Sequence, residues 1–272
     1  MQRREDVREY LNLQRELLQA QLEVDAMPHK GAVADWEDHL PLSALETRSL
    51  EAKQPIVQFL DLTVFDTATL KPIFRKVVDV FATTYPNRKG LDKLLGRIDG
   101  GEIDLATLIA VVLKEDDTVL MRYAMEYEVE VPLLTLLVTT PIQPFFEDIA
   151  RRASPAFYEK WWRANCPICG RVPQVARLLN RQRYLLCDFC GSEYRSDYSL
   201  CVNCGNRDPY TLKFLKNEAK PEFQIDFCTK CNHYLKVILE DARKTTIPRR
   251  LEDILTLNLD VEAKRAGLIR NY

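Results

Sequence analysis

The sequence is poor in the residues on which most catalytic sites depend. It has only three histidines, His29, His39 and His233, and only nine glycines in 272 residues. No glycine-rich phosphate loop and no nucleophile at a sharp strand-to-helix turn is recognisable in it. We therefore predict no catalytic residues and no organic cofactor site, and we expect that the protein is not an enzyme.

An excess of one charge sign and long apolar stretches are also missing. The 38 basic and 40 acidic side chains give a formal net charge of −2, which provides no general attraction to nucleic acid. The longest charge-free run, 131–146, has 16 residues and three prolines, and is too short to span a membrane. The start, Met1 to Asp6, lacks the apolar core of a signal peptide. We expect a cytoplasmic protein without a membrane span.

Cysteine is absent before residue 166 and after residue 231, so all eight cysteines lie in one segment. They form four Cys-x-x-Cys pairs, and the two sulfurs of such a pair can turn toward one point, as half of a tetrahedral metal site requires. Glycine follows three of the pairs and Asn232 follows the fourth, and both residue types tolerate the positive φ of a tight turn. The predicted metal ligands are Cys166, Cys169, Cys187, Cys190, Cys201, Cys204, Cys228 and Cys231.

The simplest grouping of these pairs is sequential. The first two pairs, 17 residues apart, would bind one ion, and the last two, 23 residues apart, would bind a second. A crossed grouping, in which the first pair joins the third or the fourth, is geometrically possible as well. A disulfide framework is a weaker interpretation because no secretory leader is visible. Tetrahedra of thiolates accept iron or zinc, so the sequence leaves the metal open.

The segment before the cysteines is predicted to be mostly helical, because apolar residues recur there at helical spacing between proline and glycine breaks. The predicted helices are 3–25, 39–52, 67–85, 91–98, 104–113, 116–127 and 133–138, with shorter turns at 145–150 and 155–163. Strand-like runs lie among the cysteine pairs, at 171–178, 183–186, 212–215, 223–227 and 234–239, and a tail helix is predicted at 249–266.

These patterns predict an α+β fold with a helical domain, two tandem metal modules and a final helix. The expected divisions are a mainly α-helical N-terminal domain over 1–163, modules over 164–196 and 197–245, and a C-terminal helix within 246–272. Each module by itself is too small to bury an adequate core, so bound metal would supply part of the folding free energy.

The order CPICGRVPQVARL, RYLLCDFCGSEY, LCVNCGN and DFCTKCNHYLKV resembles the family of formate dehydrogenase accessory proteins called FdhE. The resemblance is strong over about 160–240 and weaker around EAKQPIVQF in the helical part. It implies a helical domain followed by two rubredoxin-like, or zinc-ribbon, modules, and a metal-binding role for all eight cysteines. The family commonly has glycine where Asn232 stands.

The same resemblance implies an accessory role in the maturation of formate dehydrogenase. The expected partner is the enzyme's catalytic subunit, through its N-terminal signal segment or another surface. Two alternatives remain open. The first is a rubredoxin-like iron electron carrier, because iron in four thiolates can shuttle one electron. The second is a nucleic-acid-binding zinc ribbon, which the net charge of +3 between residues 166 and 231 supports only weakly.

A few other side chains receive structural interpretations. His233 follows the fourth pair and is expected beside the site rather than on the metal, because four thiolates already complete it. Trp161 and Trp162 are expected to pack the helical part against the first module. Arg183 is expected on the charged outer face of a hairpin strand. The acidic clusters 115–117 and 126–130 are expected to be solvated, with the arginines of a signal segment as a less favoured partner.

Overall fold

The structure of the protein is a computed structural model, and it confirms the predicted α+β class, with helices up to residue 160 and strands after it. The residues that it describes are 12–19, 41–86, 88–114, 116–218, 220–243 and 251–270. Two compact units divide the chain: one comprises Leu60–Phe145 with the described part of Met1–Pro41, and the other comprises Leu42–Phe59 with the described part of Phe146–Tyr272.

The first unit is built of amphipathic helices that begin at aspartate caps. Asp66, Asp104 and Asp116 each accept a hydrogen bond from a backbone N–H in the first turn of the helix that follows. The helices are Thr67–Thr84, Leu91–Asp99, Leu105–Leu113, Asp117–Tyr127 and Val131–Thr139, with 3-10 turns at Leu62–Val64 and Thr140–Ile142; 12–19 is also helical. The remainder of the predicted helix 3–25 lies outside the described residues.

The lengths and apolar content of these helices are modest. No single described helix is long and apolar enough to cross a bilayer. A bent pair, Asp117–Tyr127 with Val131–Arg152, meets the criteria only in combination, with an angle of 99° between its parts.

The second unit contains a six-stranded sheet with short helices around it. Its helical segments are Leu42–Ala52, Ile56–Phe59, Pro155–Lys160, Glu240–Ala242, Glu252–Leu255 and Leu257–Arg265, and the helix Gln143–Arg152 crosses into it. The strands are β1 (Val175–Leu179), β2 (Gln182–Leu186), β3 (Glu193–Ser196), β4 (Leu212–Lys216), β5 (Phe223–Cys228) and β6 (Tyr234–Leu239). The sequence predicted all of these strands except β3.

The strand order β3-β2-β1-β6-β5-β4 joins two antiparallel three-stranded pieces into one sheet. In each piece a hairpin lies between two cysteine pairs and a third strand follows the second pair, so the two modules have the same connectivity. The junction is the parallel pairing of β1 with β6, in which Val175 lies opposite Lys236 and Leu178 opposite Leu239.

The C-terminal helices cover one face of this sheet. Leu259 and Ala263 are buried in a cluster with Val175, Ile225 and Ile238. Burial of an aliphatic side chain of this kind contributes about 1.5–3 kcal/mol. The predicted tail helix is interrupted at Thr256, whose hydroxyl donates to the Glu252 carbonyl at 2.6 Å instead of leaving that carbonyl to the helix ladder.

A buried ionic network fixes the same C-terminal segment to β6. The ammonium of Lys236, which is fully buried, lies 2.7 Å from Asp253 and 2.8 Å from Asp260. Arg270 lies 2.8 Å from Asp253 and 2.9 Å from Asp260, and the Tyr234 hydroxyl donates to Asp260 at 2.7 Å. Because a buried ammonium is tolerated only when it is paired, Lys236 requires these carboxylates.

Candidate metal centres

All four Cys-x-x-Cys turns have the same backbone. In each, the N–H of the first cysteine donates to the carbonyl five residues later, at 2.8–3.1 Å, and the residue after the second cysteine donates back to the first, at 2.7–3.0 Å. The residue after the pair has positive φ in every turn: 83° at Gly170, 71° at Gly191, 69° at Gly205 and 59° at Asn232. The expected need for glycine or asparagine at this position is therefore confirmed.

These turns bring the eight sulfurs into two groups, one of Cys166, Cys169, Cys187 and Cys190 and one of Cys201, Cys204, Cys228 and Cys231. The grouping is sequential, as the simpler of the two predictions had it, and not crossed. All the cysteines are free thiols, so the disulfide interpretation is wrong for this structure.

The spacing of the sulfurs fits a tetrahedral metal ion. The Sγ atoms of Cys166 and Cys190, and those of Cys169 and Cys187, are 3.4 Å apart. In the second group the corresponding distances are 3.7 Å and 3.8 Å, and within each group all ligand atoms lie within 4.8 Å of one another. Zinc–sulfur bonds of 2.3 Å would place the sulfurs of a tetrahedron about 3.8 Å apart. Each group is therefore a set of four soft donors that could hold an iron or zinc ion.

The first group, which we call the first centre, is enclosed by protein. All four of its cysteines are buried, and the hydroxyl of Ser192 lies 3.0 Å from the Cys166 sulfur and 3.2 Å from the Cys190 sulfur. The segment before residue 60 closes over its first turn: the N–H groups of Ile56 and Val57 donate to the carbonyls of Pro167 and Ile168, at 2.8 Å and 2.9 Å.

The thiols of the first centre cannot all ionise without a cation. Burial alone would raise the pKa of Cys166, but hydrogen bonds from the neighbouring cysteines and Ser192 hold that pKa well below its usual value. The pKa values of Cys169 and Cys190 are well above the usual value, first because the thiols are buried and then because of the thiols beside them, Cys166 included. A divalent cation would supply the charge that the remaining thiolates need.

The second group, which we call the second centre, lies at the surface. Cys204 is exposed and Cys231 is partly exposed, whereas Cys201 and Cys228 are buried. Burial raises the pKa of Cys201 to about 12. Burial would also raise the pKa of Cys228, but the backbone N–H groups of Cys231 and Lys230 and the side-chain amide of Asn206 lower it to about 7. The Asn206 amide nitrogen lies 3.4 Å from that sulfur.

A cavity of about 220 Å³ lies against the second centre and is lined mainly by apolar side chains. Arg183 also reaches this cavity, although it is only 3% exposed, and the expectation that it lies on an outer charged face is wrong. Its guanidinium donates to Ser196 Oγ at 3.0 Å and to the carbonyls of Asp197 and Leu200. Sequence pattern missed this role because those acceptors belong to the loop between the modules, whose course no local periodicity indicates.

The other single residues fall mostly where expected. His233 is not among either group of four, and its Nδ1 lies 2.9 Å from the carbonyl oxygen of Cys231. Trp161 is buried and donates to the Asn165 carbonyl at 2.8 Å, so it braces the chain that enters the first cysteine turn. Trp162 is 51% exposed, with the Arg195 guanidinium 5.0 Å from its ring centroid.

The acidic cluster in the first unit is paired within the chain. Glu126 lies 2.8 Å from Arg97, and Glu128 lies 2.6 Å from Lys93. Glu130 lies 2.5 Å from Arg88 in the same way. Of the other acidic cluster, Glu115 lies outside the described residues, while Asp116 and Asp117 begin a helix. These contacts support the structural interpretation of both clusters over a role in receiving foreign arginines.

Comparison with known proteins finds relatives of one kind. No family model matches the chain. It is 30% identical over 145 residues to "Protein FdhE homolog" of Aquifex aeolicus, an alignment that covers 51% of this chain and 50% of that protein. It is 29% identical over 111 residues to "Protein FdhE homolog" of Haemophilus influenzae and 27% identical over 113 residues to "Protein FdhE" of Salmonella arizonae. Those alignments cover 39% and 40% of this chain and 36% of each relative.

A solved structure extends the similarity to nearly the whole fold. The crystal structure of the FdhE protein from Pseudomonas aeruginosa superposes with a TM-score of 0.59 at 20% sequence identity, and covers 96% of this chain and 86% of that one. At that identity the match shows the fold alone. The sequence matches span half or less of the curated relatives' length.

Proposed function

We propose, from the premise that sequence and fold together support the FdhE family for this chain, that it is a formate dehydrogenase accessory protein. In this role it binds the catalytic subunit of the enzyme during maturation. The observation that carries the proposal is the pair of four-cysteine groups set in one continuous sheet, within a fold shared with an FdhE protein over nearly the whole chain.

We assign the eight cysteines as ligands of two metal ions, iron or zinc. The sulfur spacing and the free thiols support this assignment. In both groups four thiolates complete a tetrahedron and leave no position for a substrate, which is typical of structural sites. Each ion would then hold two turns and the hairpin between them in a fixed geometry, and would contribute free energy to the folding of the second unit.

The accessory role also fits the chemistry of the surroundings. Free cysteines persist where the environment is reducing, so we place the interaction in the cytoplasm, before any export of the partner. Neither group of four includes a histidine or a carboxylate, and the function that they support best is binding rather than turnover.

The test is co-purification of the protein, expressed in a strain that makes formate dehydrogenase, with the enzyme's catalytic subunit. We expect the metal-loaded protein to retain that subunit, and the double variant Cys187→Ser/Cys190→Ser to lose it together with one metal equivalent. Thr229→Ser, an exposed change beside the second centre, serves as the control. A folded, metal-loaded protein that retains no catalytic subunit would overturn the proposal.

An electron carrier remains the second candidate, because the exposure of Cys204 brings one ligand of the second centre within reach of a redox partner. Elemental analysis and absorption spectroscopy distinguish the two functions. Iron with a visible spectrum that bleaches reversibly on reduction would favour electron transfer. A colourless protein with two zinc ions would exclude it.

A further inference from the structure

The strand β4 forms one edge of the sheet and is exposed along its length. It pairs only with β5 among the described strands, so its other edge presents backbone groups without a partner strand in that part of the chain. Four of its five residues are exposed, and they include Phe214, which is 53% exposed, and Leu215. An exposed apolar edge of this kind is a ready template for an additional strand.

The charge on this edge is entirely positive. Lys213 and Lys216 stand on opposite faces of β4, on either side of Phe214 and Leu215. Neither lysine forms an ion pair with the described residues, although the Lys216 ammonium lies 5.8 Å from the centroid of the Phe214 ring. Opposite charges across neighbouring strands stabilise their pairing, and like charges oppose it.

This charge pattern argues against a second copy of the chain as the occupant. An antiparallel β4–β4 pair would place four lysines on one ribbon of five residues per strand, with no carboxylate on either strand to offset them. Lysines on edge strands commonly prevent such self-association. The edge therefore discriminates against its own copy and favours a strand that carries acidic side chains.

Beside the edge lies the cavity that adjoins the second centre. Leu212, Lys213 and Phe214 of β4 line it, and the ring of Phe214 stands at its exposed side, opposite Asp226 of β5. In an added strand, the residue opposite Phe214 would have its Cβ about 4.5–5.5 Å from that of Phe214, on the same face. An apolar side chain at that position would reach the rim of the cavity.

We propose that β4 binds an extended, acidic segment of a partner protein as an added strand, with one apolar side chain of that segment against Phe214 at the cavity. Backbone hydrogen bonds would hold the segment, Lys213 and Lys216 would select its acidic residues, and the cavity would select the apolar one. The partner is the one that the proposed accessory function requires, so the inference rests on that function for its biological setting.

The test uses the full-length, metal-loaded protein and a fluorescent seven-residue peptide in which glutamates alternate with valine and a central phenylalanine. We expect saturable binding that weakens at least tenfold in the variant K213E/K216E, and protection of the 212–216 amides from hydrogen exchange. The variant K264E/R265E, which makes the same change in net charge on an exposed helix, should bind as the unmodified protein does. Unchanged spectra in circular dichroism show that the variants fold.

Two matched peptides separate strand addition from simple charge attraction. A peptide with lysine in place of glutamate should bind at least tenfold more weakly, and so should the acidic peptide with N-methyl groups on alternate backbone nitrogens. Equal binding of the acidic and basic peptides would overturn the inference, as would protection outside β4.

Co-purification in cells then distinguishes this inference from the proposed function. Loss of the catalytic subunit in K213E/K216E, but not in K264E/R265E, supports both. Retention of the subunit by K213E/K216E overturns the β4 site and leaves the accessory function standing. If the peptide binds β4 but no catalytic subunit co-purifies with the unmodified protein, the accessory function falls and the β4 site remains.

Discussion

The first and second centres are built from the same turn, yet they differ in every surrounding that governs access to the sulfurs. The first has four buried cysteines, a serine hydroxyl within 3.2 Å of two of them, and a covering segment at Ile56 and Val57. The second has one exposed and one partly exposed cysteine, and a cavity alongside.

This difference teaches that the turn determines where the ligands are, while the flanking chain determines how they behave. The first module is enclosed by residues of Leu42–Phe59 and Phe146–Lys160, whereas the second is held from one face by the C-terminal segment and its ion pairs. We expect the first centre to stabilise the second unit and the second centre to be the more reactive of the two.

The largest expected effect is that of removing one ligand from each centre. Cys166→Ser should lose one metal equivalent and lower the free energy of unfolding by at least about 5 kcal/mol, because the binding of a structural metal is worth more than that. Cys204→Ser, at the exposed position, should cost roughly 2 kcal/mol. Elemental analysis and chemical denaturation measure both changes. Equal losses would show that enclosure does not distinguish the centres.

The second prediction concerns the ion pairs that hold the second module. Burial alone would raise the pKa of Asp253, but Lys236 and Arg270 outweigh burial and lower it. The ionised carboxylate thus stabilises the fold above the unfolded pKa of about 4, and this stability is lost as the pH falls through the lower folded value. Asp253→Asn should cost about 3 kcal/mol at pH 7, because it leaves the buried Lys236 with fewer partners.

Denaturation at pH 7 and at pH 3 checks this expectation, and the difference between variant and unmodified protein should shrink at the lower pH. Asp99→Asn is the control, because Asp99 forms a salt bridge with Arg75 in the other unit at an exposed site. A loss of stability that is the same at both pH values would show that packing, and not charge, holds the C-terminal segment.

The third prediction compares the release of metal from the two centres. A chelator should remove the ion of the second centre at least about tenfold faster, a difference of about 1.4 kcal/mol in activation free energy, because solvent reaches the Cys204 sulfur. Chelator absorbance follows the two phases, and alkylation with mass spectrometry identifies the cysteines freed in each. Alkylation of Cys166 before Cys204 would reverse the comparison.

The smallest expected effect tests the shared turn itself. Gly205→Ala should cost about 1–2 kcal/mol, because an added Cβ meets open space there and only the positive φ opposes it. Gly170→Ala should cost about 1 kcal/mol more, because its Cβ would lie 3.2 Å from Cγ of Pro55 in the covering segment. Denaturation of both variants decides, and identical costs would mean that the covering segment yields without resistance.

The local chemistry of the centres could be predicted from sequence because it is contained in short motifs. The cysteine pairs, the residues with positive φ and the hairpins between the pairs each depend on contiguous residues. Asn232 is the clearest case, since a single substitution in the glycine pattern was expected to keep the same turn and does so, with φ at 59°. Metal binding itself stays a prediction.

Long-range contacts could not be predicted in the same way. β3 has little apolar character, and Glu193–Ser196 is a strand because β2 offers it an edge and Tyr194 is buried there. The covering contacts of Ile56 and Val57 join residues more than 100 positions apart. Arg183 is buried because carbonyls of the loop between the modules receive it. No pattern in any one segment indicates such partners.

The parallel pairing of β1 with β6 has a consequence for synthesis of the chain on the ribosome. About 60 residues separate Val175 from the end of β6, so β1 emerges with one edge unpaired and waits for its neighbour. At translation rates of about 5–20 residues per second, the delay is on the order of 3–12 s. During that interval the nascent first module exposes an open strand, and it is then that a ribosome-associated holdase would have the most to protect.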